Sequence, residues 1–78
     1  MNMDAVKKGW FELGENVKIH TNDDVIIAGF IANENDESYM IRTDTKTIEV
    51  KFDNIRSIHV ISVTDMVVLW NHLKKVYY

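Results

Sequence analysis

The sequence predicts a mainly β protein, in which five short strands form a small barrel and a C-terminal helix follows them. Three observations carry this prediction. Apolar and polar residues alternate in short runs between Val17 and Ser62, as in strands with one buried face. Clusters of Asn, Asp and Thr separate the runs, as turn residues do. After Ser62 the spacing of apolar residues changes from two to three or four, which is typical of a helix.

The strands are expected to be VKIH, VIIAGFIA, YMIRT, TIEVKF and IRSIHVIS, in that order along the chain. Gly29 stands in the middle of the second run, where glycine often marks a tight bend at a barrel corner. Such a bend lets one strand serve both sides of a barrel, which explains why this run is apolar on both faces. We expect a single domain over residues 1–78, with the barrel over residues 11–62. Residues 2–8 are expected to form a short N-terminal helical segment.

The C-terminal helix is predicted over residues 64–78, with Ser62 or Thr64 as its N-cap. Its apolar stripe consists of Met66, Leu69, Trp70, Leu73, Val76 and Tyr77. A sixth strand through MVVLW is the weaker alternative, because the stripe continues beyond Trp70. The stripe is wider than one barrel end needs. It therefore either packs on the second strand or forms a surface for a partner or a second copy, and a swapped helix would do both.

Composition limits the classes of protein to which the chain belongs. It has 78 residues, 46% of them hydrophobic, which fits one folded globular domain. It contains no Cys, so neither a disulfide framework nor a thiolate metal site is available. No apolar run approaches the roughly 20 residues that span a bilayer, and the start lacks the apolar core of a signal peptide. We expect a cytoplasmic protein with no membrane contact.

The charge distribution favours a protein partner over nucleic acid. The formal net charge is −3, and the segment from His20 to Ile41 has no Lys or Arg. Its acidic residues are Asp23, Asp24, Glu34, Asp36 and Glu37. Nucleic-acid binding draws most of its affinity from Lys and Arg, so an acidic domain without a basic stripe is a poor candidate.

No set of residues indicates catalysis. A thiol nucleophile is absent, and His20, His59 and His72 fall on different predicted elements without metal-ligand spacing. The three glycines make no phosphate-binding loop. We therefore expect no enzyme activity, no metal and no cofactor.

Two stretches, VIIAGFI with Gly29 at the bend and IEVKFDNIRSI, resemble the Sm-like (SH3-like) small barrels over roughly residues 11–62. The second stretch is similar to the ends of the YolD-like and the small acidic Rho-inhibitor families. The resemblance implies a barrel that acts through protein contacts, in the Rho-inhibitor case by binding an enzyme that handles nucleic acid. The RNA site of Sm proteins is not matched, because NENDESYMI lacks their Asp–Asn spacing and no Gly follows Arg56.

The first functional hypothesis is therefore a non-catalytic acidic module that binds or inhibits a protein partner, with homo-oligomers also compatible. Its expected contacts are Asp23, Asp24, Glu34, Asp36, Glu37, Trp70, Leu73 and Tyr77. The alternative is an oligomeric Sm-like ring that binds RNA or single-stranded DNA, because aromatic rings beside bases can stack on nucleotides. Its contacts would be Lys7, Lys8, Trp10, Phe11, Arg42 and Arg56. A small-molecule pocket formed between subunits is a further hypothesis that is compatible with the sequence.

Overall fold

The computed structural model describes the backbone of residues 9–77 and the side chains of residues 9–74. The elements are β1 (Asn16–Thr21), β2 (Ile26–Glu34), β3 (Ser38–Arg42), β4 (Thr47–Lys51), a 3-10 turn (Phe52–Asn54), β5 (Ile55–Val60) and α1 (Val63–Tyr77). The prediction of a mainly β fold with five strands and a C-terminal helix is confirmed. The helical segment expected at residues 2–8 lies outside the described residues.

The five strands form one antiparallel sheet in the order β4-β3-β2-β1-β5. β2 is central because its first half pairs with β1 and its second half pairs with β3. Within β2, Phe30 is the one residue with a partner on both sides, Asn16 in β1 and Arg42 in β3. The change of partner occurs beside Gly29, where a Cβ atom would overlap the Arg42 carbonyl oxygen. Glycine is therefore required where β3 approaches β2 most closely.

The sheet is not closed into the barrel that was expected over residues 11–62. β4 pairs with β3, β5 pairs with β1, and β4 and β5 do not pair with each other in the described part of the chain. A polar cavity of about 540 Å³ lies beside β4, lined by Glu49, Lys51, Asp53 and Asn54 together with Thr21, Ile27 and Val50. Charged side chains on β4, such as Glu49 and Lys51, are typical of a strand edge that faces water rather than another strand.

One face of the sheet carries the hydrophobic core. Its buried residues are Val17, Ile19, Ile27, Ile31, Tyr39, Ile41, Val50, Phe52 and Ile55. Tyr39 packs edge-to-face against Phe52, with ring centroids 4.8 Å apart, and its hydroxyl accepts the backbone N–H of Phe11 at 3.1 Å. Burial raises the pKa of Tyr39 above its ordinary value of 10.0, so the phenol stays protonated and neutral within the core.

α1 packs against β1 and β2 of its own chain. Met66 is its buried residue, and it lies outside the core cluster on the other face of the sheet, as Ala28 does. The helix begins at Val63, one residue earlier than expected, because Ser62 is the N-cap: its hydroxyl accepts the Asp65 N–H at 3.0 Å. The alternative N-cap at Thr64 and the sixth strand are therefore wrong.

Candidate functional site

An apolar groove lies between α1, the start of β2 and the β3–β4 turn, and we call it the α1 groove. Its volume is about 420 Å³, within the range of pockets that hold small ligands or short peptide segments. Its apolar lining is formed by Val25, Ile26, Ile27, Ala28, Ile48, Trp70 and Leu73. Its polar lining is formed by Asp24, Thr43, Asp44, Thr45, Lys46 and Lys74.

The floor of the groove is a strand edge that no other strand covers within residues 9–77. β3 ends opposite Phe30, so the segment Ile26–Ala28 has β1 on one side and the groove on the other. In an antiparallel pair, consecutive residues direct their N–H and C=O groups to opposite sides. The Thr21 N–H donates to the Val25 carbonyl at 2.9 Å, which directs Val25 towards β1. Ile26 and Ala28 therefore direct their backbone groups into the groove, and we call this the β2 edge.

Trp70 donates a hydrogen bond to the β2 edge. Its indole Nε1–H donates to the Ala28 carbonyl oxygen at 2.6 Å. Ala28 is 1% exposed, so without this bond its carbonyl would be buried without a strand partner. The indole thus replaces the hydrogen bond that a further β3 residue would make, and it fixes α1 at the side of the groove.

The β3–β4 turn forms the opposite wall and is held by its own hydrogen bonds. The Thr43 N–H donates to the Lys46 carbonyl at 2.8 Å, and the Thr43 hydroxyl accepts the Lys46 N–H at 3.2 Å. This hydroxyl also lies 3.3 Å from the Thr45 nitrogen. Threonine fits here because its hydroxyl satisfies turn amides that have no strand partner. The turn is therefore a fixed wall whose polar backbone groups are largely satisfied internally.

Three of the four charged residues that line the groove form an ion pair with another described residue, and the fourth does not. The Lys74 ammonium lies 3.0 Å from Asp44 and joins α1 to the β3–β4 turn across the groove. Arg56 Nη2 lies 2.6 Å from Asp24 Oδ1 and also 2.6 Å from His20 Nε2. Lys46 makes no ion pair with any other described residue. Both acidic residues of the groove are thus neutralised, and Lys46 leaves a local positive charge on a protein of negative net charge.

The β1–β2 turn, which supplies Asp24 and Val25, is anchored to the 3-10 turn. The Asn22 N–H donates to the Asn54 carbonyl at 2.9 Å. Thr21 Oγ1 lies 2.5 Å from Asp23 Oδ1, and this hydrogen bond is the main reason that the pKa of Asp23 lies below 3.8. These contacts fix the residues that directly precede Asp24, and they therefore hold the groove end of β2 in place.

The groove contains three of the eight residues expected to contact a partner. Asp24, Trp70 and Leu73 line it, and Asp23 is adjacent in the same turn. The other three acidic residues, Glu34, Asp36 and Glu37, lie at the far end of β2 or in the β2–β3 turn. Nine residues of strand separate the two groups, about 30 Å along the chain. The five acidic residues therefore occupy two separate ends of the strand. Tyr77 lies in α1, and its side chain is not among those described.

The residues of the nucleic-acid alternative are dispersed in the described part of the chain. Phe11 packs edge-on against Tyr39, which is the structural role of a core ring. Trp10 is 50% exposed and follows Gly9, whose N–H donates to Glu34 at the far end of β2. Arg42 is exposed at the end of β3, and Arg56 is paired at the β1–β2 turn. Lys7 and Lys8 lie outside the described residues.

Sequence reasoning missed most of the groove. Val25 and Ile48 lie in two of the predicted strands, and Asp44 and Lys46 lie between two of them, with no indication in the sequence that these residues share a surface. Nothing in the linear sequence places Thr43–Lys46 opposite Trp70. Their positions across the groove depend on the residue at which β3 stops pairing with β2. The sequence feature that indicates a contact here is Trp70, since a tryptophan on the apolar stripe of a helix usually needs a hydrogen-bond acceptor for its N–H.

Within residues 9–77, no three His, Cys, Asp or Glu side chains lie close enough together to hold a metal ion. The same part of the chain contains no helix with the length and hydropathy required to cross a membrane. Comparisons with protein-family models, with curated proteins and with solved structures found no match to the chain.

Proposed function

We propose that the protein is a non-catalytic interaction module that binds a protein partner through the α1 groove. The observation that carries the proposal is the geometry of this groove: it has a volume of about 420 Å³ and apolar walls, and it runs along a strand edge with which no other strand pairs within residues 9–77. Val25 remains 47% exposed at its mouth, although it is a β-branched apolar residue. A polypeptide bound there would cover apolar side chains and unpaired backbone groups together.

The charge distribution supports a protein over nucleic acid as the partner. The net charge is −3, and the basic and aromatic residues of the alternative do not form one surface in the described structure. A bound nucleic acid would need several cations in a row to neutralise its phosphates. A protein partner needs only an apolar contact with a few matched charges.

The finer parts of the hypothesis rest on the sequence resemblance. We propose an Sm-like origin for the sheet, which is supported by the glycine in the middle of β2, beside the point where β2 changes its strand partner. Inhibition of a partner that handles nucleic acid follows from the Rho-inhibitor resemblance alone, and a cytoplasmic location from composition. Self-association is supported by Val63, Val67 and Val68, which are 59, 42 and 59% exposed on α1.

Site-specific photo-cross-linking in the native cells tests the proposed site. A benzoylphenylalanine at Val25 faces the groove, and one at Lys51, exposed on β4, is the matched control. We expect a discrete cross-linked protein from position 25 that is absent from position 51. The further substitution Leu73→Asp places a charge in the apolar wall and should remove that product.

The circular dichroism spectrum of each variant checks that the fold is retained. If positions 25 and 51 give the same products, the groove is not the partner site. The same conclusion follows if the folded Leu73→Asp variant cross-links as strongly as the parent.

A further inference from the structure

We propose that the α1 groove takes an extended segment of its partner, which adds to the β2 edge as a short strand and places an acidic side chain against Lys46. This inference rests on the proposed function and specifies the form and chemistry of the partner. It is carried by three features of the groove: the backbone groups of the β2 edge, the arrangement of its apolar walls and the charge of Lys46, which has no ion-pair partner among the described side chains.

The backbone groups select an extended chain. Ile26 directs its N–H and C=O into the groove, and Ala28 directs its N–H the same way. Among these groups, the Ala28 carbonyl alone has a bond shown in the described structure, to the Trp70 indole. A helix has no free backbone groups along its sides and would leave Ile26 and Ala28 unsatisfied. An extended segment satisfies them while its side chains alternate between the two sides of its backbone.

The walls accept those alternating side chains. Trp70 and Leu73 of α1 stand on one side of the β2 edge, and Ile48 with the β3–β4 turn stands on the other. A segment on the β2 edge therefore meets apolar surface on both sides. The open length is only Ile26–Ala28, so about three residues of the partner make strand contacts.

The charge of the groove selects an acidic residue in that segment. Asp24 and Asp44 are occupied by Arg56 and Lys74, at 2.6 and 3.0 Å. Lys46 is the remaining ion of the lining, and its ammonium has no carboxylate partner in residues 9–74. An acidic side chain beside it gains an attraction without displacing an existing ion pair, whereas a basic one meets a like charge.

A library of random linear dodecapeptides displayed on phage tests the inference, with the full chain as the immobilised target. We expect selected peptides to share an acidic residue flanked by apolar residues at alternate positions. Binding of a selected synthetic peptide is then measured by fluorescence polarisation. Lys46→Glu should raise its Kd at least tenfold, while Lys51→Glu, the same charge change at an exposed residue of β4, should change it less than twofold.

The backbone part is tested by N-methylation of single residues of that peptide. Methylation at alternate positions should weaken binding at least tenfold, and at the positions between them less than threefold, because only every second amide faces the β2 edge. Amide resonances of Ile26 and Ala28 should shift when the unmethylated peptide binds the ¹⁵N-labelled protein.

Other results separate the two proposals. If position 25 cross-links a partner but the library yields no groove-binding peptide, the inference fails and the proposed function stands. The inference also fails if Lys46→Glu and N-methylation leave the Kd unchanged. If position 25 fails to cross-link and Leu73→Asp leaves peptide binding unchanged, both proposals fail.

Discussion

Replacing Gly29 with alanine tests the close approach of β2 and β3. A Cβ at this position would overlap the Arg42 carbonyl oxygen and would lie 2.9 Å from both the Arg42 carbonyl carbon and Ile41 Cγ2. An ordinary carbon–carbon contact is about 3.5 Å or longer, so β3 must move away by at least about 0.6 Å. The atoms in the way belong to backbone and to a buried side chain, neither of which can rotate aside.

The expected loss of stability follows from two terms. Overpacking of a buried site costs about 1–3 kcal/mol. Moving Arg42 also weakens its hydrogen bonds with Phe30, each of which contributes about 1 kcal/mol. The sum is about 2–5 kcal/mol, whereas a domain of this length has a total stability of about 4–12 kcal/mol. Gly29→Ala is therefore expected to remove a substantial part of the stability of the fold.

Urea unfolding followed by tryptophan fluorescence measures the effect as a change in the free energy of unfolding. Ala32→Ser, at an exposed position of the same strand, is the control and should change this free energy by less than about 0.5 kcal/mol. A Gly29→Ala variant within about 0.5 kcal/mol of the parent would show that β3 does not approach β2 as described.

Three further predictions concern α1 and the pH dependence. Trp70→Phe leaves the Ala28 carbonyl without its donor and should lower the free energy of unfolding by about 1–3 kcal/mol; an unchanged value in urea would mean that the hydrogen bond is not made. Ser62→Ala removes the N-cap of α1 and should cost about 1 kcal/mol, with a loss of helical signal in circular dichroism, whereas Ser62→Asp should retain both. The hydrogen bond from Thr21 lowers the folded-state pKa of Asp23, so its stabilising contribution is present above about pH 3.8 and is lost as the pH falls through the folded-state value. Asp23→Asn should therefore flatten the acid limb of a plot of stability against pH, and an unaltered limb would contradict this role.

The sequence predicted the local structure well because local structure depends on nearby residues. The alternation of Ile48 and Val50 and the N-cap at Ser62 are features of neighbouring positions, and the structure has them as expected. Gly29 was expected at a bend, and its environment explains why no side chain fits there.

The errors concern relations between distant segments. Alternation shows which side of a strand is apolar but not which edges meet, so the sequence predicts a barrel, whereas the structure has an open sheet with β4 and β5 at its two edges. The acidic residues were grouped by their closeness along the chain, although an extended strand places Asp24 and Glu34 at opposite ends. The α1 groove depends on where β3 stops, which no spacing in the sequence encodes.

The position of α1 along the chain has a consequence for biosynthesis. All five strands precede α1, so the ribosome synthesises the whole sheet before the wall that holds Trp70. The helix contributes 15 residues, which take about 1–3 s to synthesise. Until they emerge, the Ala28 carbonyl lacks its donor and the groove lacks one side. The residues of the sheet are therefore all synthesised before the α1 side of the groove, and the surface proposed for partner binding is completed only after them.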